Sequence, residues 1–149
     1  MKHHNFLLFI SLFTMACQDH QDENIVLKGL IIKTGQTCGW CAGSDSLTLT
    51  ETKEYYEFIA ACGGQNKSLQ ENTDLEKWND LLQDFDLETF TNVNVNTCNI
   101  CVDGCDTWIS VQKDDMIHEI RFGDNSPEIE PIRAFVDKLR TLREAFKTN

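Results

Sequence analysis

Hydrophobic and polar residues alternate along much of the chain, and this alternation predicts a fold rich in β-strands. In the stretch SLTLTET, Leu47 and Leu49 alternate with hydroxyl side chains, a pattern typical of a strand with one buried face. The stretch KEYYEFIAAC is aromatic and favours a strand, although its spacing is also compatible with a helix. The predicted strands are residues 25–33, 46–52, 53–62, 106–112 and 116–123, the last two joined as a hairpin by residues 113–115.

Two further stretches have the three- and four-residue spacing of amphipathic helices. Thr73 and Glu76 form a capping-box pattern before a stripe of leucine and aromatic residues, which predicts a helix over residues 73–85. A C-terminal helix is predicted to begin at either Pro127 or Pro131. The predicted order is β-β-β-α-β-β-α, and the economical packing is an α+β fold with two helices on a small antiparallel sheet.

The first residues have the pattern of a bacterial export signal. Lys2 precedes an apolar run that is too short to span a membrane, and Thr-Met-Ala-Cys resembles a lipobox ending at Cys17. We therefore expect a lipid anchor on Cys17, with ordinary secretion as the alternative. The expected divisions are a signal peptide over residues 1–16, a lipidated tether over residues 17–24 and one α+β domain over residues 25–149.

The expected location is the bacterial cell envelope. Gln18 follows the cysteine in place of the aspartate associated with retention at the inner membrane, which favours an outer-membrane lipoprotein. The lipid on Cys17 would make the membrane one partner of the protein. The sequence does not decide whether the protein lies on the periplasmic or the surface-exposed side of the outer membrane.

The charge of the chain narrows its range of partners. The formal net charge is −11 at pH 7, which would repel the phosphate backbone of a nucleic acid, so no nucleic-acid partner is expected. Acidic residues concentrate in residues 71–88 and basic residues in residues 133–147. We interpret them as two solvated helix faces that lean towards each other. A basic partner or a cation for the acidic face is the alternative.

Six of the seven cysteines follow Cys17, an even number in a small exported domain. Such a set is most simply explained by three disulfides, which stabilise a modest core by restricting the unfolded chain. Six cysteines allow 15 connectivities, and the sequence does not distinguish among them. The candidates are Cys38, Cys41, Cys62, Cys98, Cys101 and Cys105.

The two Cys-x-x-Cys motifs also admit a thiol-redox site or a zinc site. A four-thiolate zinc site would use Cys38, Cys41, Cys98 and Cys101. A redox dithiol needs its first cysteine at a helix N-terminus, whereas Cys41 is followed by a short polar stretch and a predicted strand. Oxidising conditions outside the inner membrane favour disulfides over both alternatives, so no metal or cofactor is expected.

Other candidates for catalysis are few. His118 is interpreted as a structural histidine, because it shares a predicted strand face with Met116, Ile120 and Phe122. Asp103 and Asp106 flank a glycine turn without the twelve-residue pattern of a calcium loop, so they are interpreted as turn residues. No catalytic residues are predicted, and an enzyme is the less favoured class.

A resemblance to known proteins rests on the motif Cys-Gly-x-Cys before a Ser-Leu-Thr strand and on the stretches WNDLLQDFDLETF, DGCDTWISV and IEPIRAFVDKLRTL. With these features the chain resembles a group of Bacteroidetes-type outer-membrane lipoproteins of unknown function. The resemblance covers roughly residues 26–147 and implies a small α+β domain without an assigned activity. The chain departs from the group at Ala42 and Gly43, where a proline and an aromatic residue are usual. The resemblance implies no catalytic residues.

Together these patterns predict a lipid-anchored envelope protein that acts as a non-enzymatic binding module for an unknown protein or small ligand. An inhibitor-like loop inserted into the cleft of a target enzyme is one form of this function. Trp40, between Cys38 and Cys41, is the candidate binding residue, since aromatic side chains on rigid loops often dominate interface energies. Its alternative role is to cover the disulfides. The competing function is a thiol-redox or zinc-binding protein that uses the Cys-x-x-Cys pairs.

Overall fold

The computed structural model describes residues 27–148. The predicted signal peptide, the lipidation site Cys17 and the tether therefore lie outside the described residues. The described part is an α+β fold with one six-stranded antiparallel sheet and three α-helices. In chain order the elements are β1 (Ile31–Cys38), β2 (Ser44–Leu49), β3 (Lys53–Ile59), β4 (Lys67–Asn72), α1 (Leu75–Gln83), α2 (Leu87–Asn92), β5 (Cys105–Lys113), β6 (Met116–Phe122) and α3 (Arg133–Thr148), with 3₁₀ helices at Asn99–Val102 and Pro127–Ile132.

The strands lie in the order β4-β3-β2-β1-β5-β6, and each neighbouring pair is antiparallel. Because side chains alternate along a strand, one face of the sheet carries the buried residues. The register pairs Thr34 with Leu47 on one side and with Ile109 on the other, and all three are buried. This face is the floor of the core.

The described helices pack on that face, which gives this part of the chain two layers. Phe135, Val136 and Leu139 of α3 are buried, as the predicted apolar spacing requires. At the last turn of α3, Phe146 stacks on Tyr56 of β3, with ring centroids 5.8 Å apart. The helix therefore ends above the middle of strands β2 and β3.

The predicted order and the number of helices are wrong in two places. Strand β4 and the short helix α2 were not predicted, so the observed order is β-β-β-β-α-α-β-β-α. Strand β4 is an edge strand with the sequence KSLQEN, and Leu69 is its only large apolar residue. An edge strand pairs through its backbone on one side only, so it needs no hydrophobic alternation.

The first strand is also displaced from its predicted range. It runs over Ile31–Cys38 rather than residues 25–33, so Gly35 lies inside the strand. A Cβ on residue 35 would lie 2.6 Å from Cζ2 of Trp108 on β5. Glycine is therefore retained in the strand because an indole ring packs directly against its backbone.

The helix boundaries differ slightly from the prediction. The N-cap of α1 is Asp74, whose side chain accepts hydrogen bonds from the backbone N–H groups of Glu76 and Lys77. Thr73 instead donates its hydroxyl hydrogen to the carbonyl oxygen of Thr50 at 2.8 Å, so the predicted capping box is wrong. At the C-terminus a 3₁₀ helix begins at Pro127, and the α-helix proper begins beyond Pro131 at Arg133.

The acidic and basic helix faces meet through Lys138. Its Nζ lies 2.9 Å from Oδ1 of Asp80 and 2.7 Å from Oδ2 of Asp84, joining α3 to α1. These hydrogen bonds raise the pKa of Lys138 above its ordinary value. Over the described range, no helix is both long and apolar enough to cross a membrane.

Candidate functional site

Three disulfides gather at one end of the sheet, which we call the disulfide end. They join Cys38 to Cys105, Cys41 to Cys62 and Cys98 to Cys101. The first links β1 to β5 where Cys38 is paired with Cys105 in the sheet register. The second links the β1–β2 loop to the β3–β4 loop, and the third closes within the 3₁₀ segment before β5. All six predicted candidates are thus paired, as expected, and the two Cys-x-x-Cys motifs behave differently.

The motif at Cys38 and Cys41 is therefore a structural cross-link, not a dithiol that closes on itself. Each of its sulfurs bonds to a cysteine far away in sequence, at separations of 67 and 21 residues. The four cysteines of the alternative zinc site are divided among all three disulfides. Among residues 27–148, no group of three or more histidine, cysteine or acidic side chains is placed to hold a metal ion.

Asp106 organises the loop that contains the Cys98–Cys101 disulfide. Its carboxylate accepts hydrogen bonds from the Thr97 hydroxyl at 2.6 Å, the Asn99 side-chain amide at 2.9 Å and the Ile100 backbone N–H at 3.2 Å. Burial alone would raise the pKa of Asp106, but these donors outweigh burial and lower it. The predicted role of this aspartate in a turn agrees with these contacts.

Trp40 projects from the disulfide end into solvent. Its side chain is 83 % exposed, so it does not cover the disulfides. Its backbone has a φ of 56°, in the left-handed region, and the neighbouring N–H of Gly39 donates to the carbonyl oxygen of Gly104 at 2.9 Å. A Cβ on Gly39 would lie 2.9 Å from the Cα of Asp103, so the two loops touch closely. Val102, 79 % exposed, belongs to the same pair of loops.

A cleft of about 330 Å³ opens beside these loops, on the core-facing side of the sheet. We call it the α3 cleft, because it lies where strands β1–β4 continue past the last turn of α3. Its lining combines apolar side chains, charged side chains and the backbone of the β1–β2 loop. The lining residues used below are Cys38, Ala42, Asp45, Tyr56, Phe58, Lys67 and Lys147.

Charged side chains from the sheet and from α3 meet at the wall of this cleft. Asp45 is buried, with Oδ1 3.4 Å from Nε of Arg143 and Oδ2 2.8 Å from Nζ of Lys147. Oδ1 also accepts the backbone N–H of Gln36 at 3.0 Å. Lys147 has a second partner in Glu144, at 2.8 Å. The carboxylate of Asp45 is therefore well satisfied.

Arg143 is less well satisfied than the carboxylate beside it. It is only 2 % exposed, and neither its Nε nor its Nη1 has a hydrogen-bond partner among the described residues. Its Nη2 lies 3.6 Å from Oε1 of Glu144. A buried guanidinium with unpaired hydrogens is costly, and its charge acts over a longer range than it would in water.

The charged groups in this cluster shift one another's pKa values. Burial alone would lower the pKa of Lys147, but its hydrogen bonds to Asp45 and Glu144 outweigh burial and raise it. Burial raises the pKa of the Tyr56 hydroxyl, and the nearby carboxylate of Asp45 adds to this. The hydrogen bond from Lys147 lowers the pKa of Glu144. At neutral pH the Lys147 ammonium and the Glu144 carboxylate are therefore charged, and the Tyr56 phenol is neutral.

His118 lies away from the α3 cleft and is held by structural contacts. Its Nε2 is 2.9 Å from the carbonyl oxygen of Val93, and its ring meets the ring of Phe90 edge to face at 5.4 Å. These contacts agree with the structural role that was predicted for His118.

The sequence carries signals for the charged cluster that the prediction missed. Asp45 is in phase with Leu47 and Leu49, so the alternation places a carboxylate on the buried face of β2. Arg143 follows Leu139 by four residues and precedes Phe146 by three, which places it on the apolar stripe of α3. Opposite charges on two predicted core faces indicate a buried ion pair.

The sequence was also compared with known proteins. No protein-family model matches the chain, and no curated protein is similar to it.

Proposed function

We propose that the protein is a lipid-anchored component of the bacterial cell envelope that binds a protein partner through its disulfide end. Cys17 carries the anchor in this proposal, and Trp40 is the central contact residue. The binding is non-enzymatic and inhibitor-like: a rigid loop enters a concave site on the partner. The observation that carries the proposal is the exposed Trp40 between two cross-linked cysteines.

The rigidity around Trp40 supports this role. Cys38 and Cys41 flank the residue; Cys38 is bonded to β5 and Cys41 to the β3–β4 loop. The loop is therefore largely ordered before binding, which reduces the conformational entropy lost on association. Exposed tryptophans are enriched among the residues that dominate interface energies. Val102 on the adjoining loop widens the apolar contact surface.

The direction of β1 also supports the proposal. The predicted tether precedes β1, which begins at Ile31 and reaches the disulfide end at Cys38. Eight residues of strand span roughly 23 Å, so the domain separates Trp40 from the start of β1 by about that distance. With the anchor on Cys17, the disulfide end can face away from the membrane that holds the protein.

Site-specific photocrosslinking in the producing cell tests the binding surface. A benzophenone amino acid replaces Trp40 in one variant and Ile117 in the control. Ile117 is also a large exposed side chain, at 66 %, but it lies on β6 at the opposite end of the sheet. We expect one discrete crosslinked partner from position 40 and none from position 117. Equal crosslinking from both positions, or none from position 40, would contradict the proposal.

A separate measurement tests the anchor. Cells that express the chain are labelled with an alkyne fatty acid, and the labelled protein is compared with a Cys17→Ser variant. We expect label and membrane association in the parent protein, and loss of both in the variant. If the parent protein carried no lipid label and were recovered as a soluble secreted chain, the proposed anchor would be wrong. The binding surface would then be tested by crosslinking alone.

Thiol redox is the second candidate function, and the Cys98–Cys101 disulfide favours it. Both cysteines are exposed, and only this Cys-x-x-Cys motif closes on itself. Mild reduction followed by alkylation and intact mass measurement tests it. A redox role requires selective labelling of this pair at a potential where the other two disulfides stay closed, together with turnover of a dithiol or disulfide substrate. Simultaneous reduction of all three would argue against it.

A further inference from the structure

The α3 cleft combines a net positive wall with an apolar floor, within a strongly acidic chain. Lys67 and Lys147 line the cleft against the single carboxylate of Asp45. Behind this lining, Arg143 and Glu144 add one charge of each sign. The chain as a whole has a net charge of −11, so this surplus of one positive charge is a local reversal. A cleft of about 330 Å³ falls within the size range of small-molecule sites.

Lys67 is the cation best placed to meet a ligand. Its Nζ donates one hydrogen to the carbonyl oxygen of Phe146 at 3.2 Å, which holds the side chain across the mouth of the cleft. An ammonium has three hydrogens, so two remain for other acceptors. Lys147 already donates to Asp45 and Glu144, and Arg143 lies behind Asp45 with its unpaired hydrogens buried. Lys147 and Arg143 therefore act on the cleft mainly through their electrostatic field.

The rest of the lining suits an apolar group. Tyr56 and Phe58 line the cleft from β3, Cys38 from the end of β1 and Ala42 from the β1–β2 loop. A phosphate is a poor match for this surface, because its negative charge exceeds the single surplus positive charge of the cleft. A phosphate also has no apolar part to contact the aromatic side chains. A cation is also a poor match, because the carboxylate of Asp45 is fully paired.

From this geometry we propose that the α3 cleft binds a small organic monocarboxylate with an apolar body. The carboxylate accepts hydrogens from Lys67, and the apolar body packs on Phe58, Tyr56 and Ala42. This site is separate from the Trp40 surface, although the β1–β2 loop borders both. It stands or falls independently of the proposed protein partner.

The test is a titration of the disulfide-bonded full chain at pH 7, followed by two-dimensional amide NMR and by calorimetry. The probe is 3-phenylpropionate, and the neutral probe is 3-phenylpropionamide. We expect saturable shifts of the amides of Ala42, Gly43 and Lys67 with the acid, and at least tenfold weaker binding of the amide. Inorganic phosphate at the same concentration should not shift these amides.

Two variants and one matched control locate the site. Lys67→Met removes the anchoring charge and should weaken binding at least tenfold. Ala42→Phe fills the cleft from an exposed position and should weaken binding similarly without any change in charge. The control is Lys53→Met on β3, because Lys53 also donates to a single neutral oxygen, that of Asn72, at the opposite end of the sheet.

Several outcomes would overturn the proposal. One is the absence of shifts at millimolar acid, and another is equal affinity for the amide. Equal affinity for phosphate, or an equal loss of affinity in Lys53→Met, would also overturn it. Retained binding of the acid by a Trp40→Ala variant separates this site from the proposed protein-binding surface.

Discussion

At the scale of single residues, Asp106 is the side chain on which the disulfide end most depends. It accepts three hydrogen bonds from the segment between Thr97 and Ile100, and it is fully buried. Asp106→Asn keeps the size of the side chain but removes its charge and one acceptor oxygen. We expect a loss of about 2 kcal/mol in the free energy of unfolding at pH 7, measured by urea denaturation. Asp103→Asn, on an exposed turn, is the control and should cost much less.

The pH dependence of this effect follows from the lowered pKa of Asp106. A carboxyl group whose pKa is lower in the folded protein stabilises it fully above the unfolded-state value of about 3.9. That contribution is lost as the pH falls through the folded-state pKa. The difference between parent and Asp106→Asn should therefore be constant from pH 7 to about 5 and shrink below pH 4. A difference that stays unchanged at pH 3 would contradict the assignment.

Gly35 is the second residue whose identity is fixed by its surroundings. A methyl group there would meet the Trp108 ring and the carbonyl oxygen of Asp45. Gly35→Ala should lower the free energy of unfolding by about 1–3 kcal/mol, the usual cost of overpacking. It should also shift tryptophan fluorescence as the indole moves. Thr48→Ala, on the neighbouring strand, is the control; a cost no greater than that of the control would show that the close packing is not maintained in solution.

At the scale of elements, the three disulfides should contribute unequally to stability. The Cys38–Cys105 bond closes a loop of 67 residues, whereas Cys98–Cys101 closes one of 3. Because loop closure restricts the unfolded chain more as the loop lengthens, the two contributions should differ by about 2.5 kcal/mol. We expect the paired change Cys38→Ser/Cys105→Ser to lower the urea midpoint much more than Cys98→Ser/Cys101→Ser. The reverse order would show that the short loop is held for another reason.

Strands and helices with a clear hydrophobic pattern were predictable from the sequence. Elements whose position depends on pairing with a neighbouring strand were not. Leu47 and Leu49 alternate with polar residues, and the strand that contains them was predicted over residues 46–52, against Ser44–Leu49 in the structure. Strand β4 has little apolar alternation, because its place is fixed by backbone pairing with β3. The Cys38–Cys105 disulfide likewise follows from the register that pairs these two residues, and register is a property of the assembled sheet.

Trp40 and the charged wall of the α3 cleft also differ in how far the sequence alone could predict them. The place of Trp40 between two cysteines was compatible both with a binding role and with covering the disulfides, and the sequence did not decide between them. The cleft could not be predicted, because it exists only where α3 ends short of the strands beneath it. The nearest sequence signal was a charged residue on each of two apolar faces, Asp45 and Arg143.

At the scale of the whole molecule, the contact between Asp45 and Arg143 ties the helical layer to the sheet, and it is asymmetric. Asp45 has three partners, Arg143, Lys147 and the Gln36 N–H, so it stays satisfied when Arg143 is removed. Among residues 27–148, Arg143 has Asp45 as its nearest anion, and two of its nitrogens are already without hydrogen-bond partners. Removing one member of a buried pair is costly in proportion to the charge that is left unpaired.

This asymmetry predicts the order of three variants in urea denaturation at pH 7. Asp45→Asn leaves the buried guanidinium without its nearest anion and should cost about 3 kcal/mol or more. Arg143→Met leaves a carboxylate that Lys147 still neutralises, and should cost about 1 kcal/mol or less, because a methionine packs in the same space without unpaired hydrogens. The double variant should then be more stable than Asp45→Asn alone. If Arg143→Met were the more damaging single change, the guanidinium would be the member that holds the two layers together, and its unpaired hydrogens would have partners in solution.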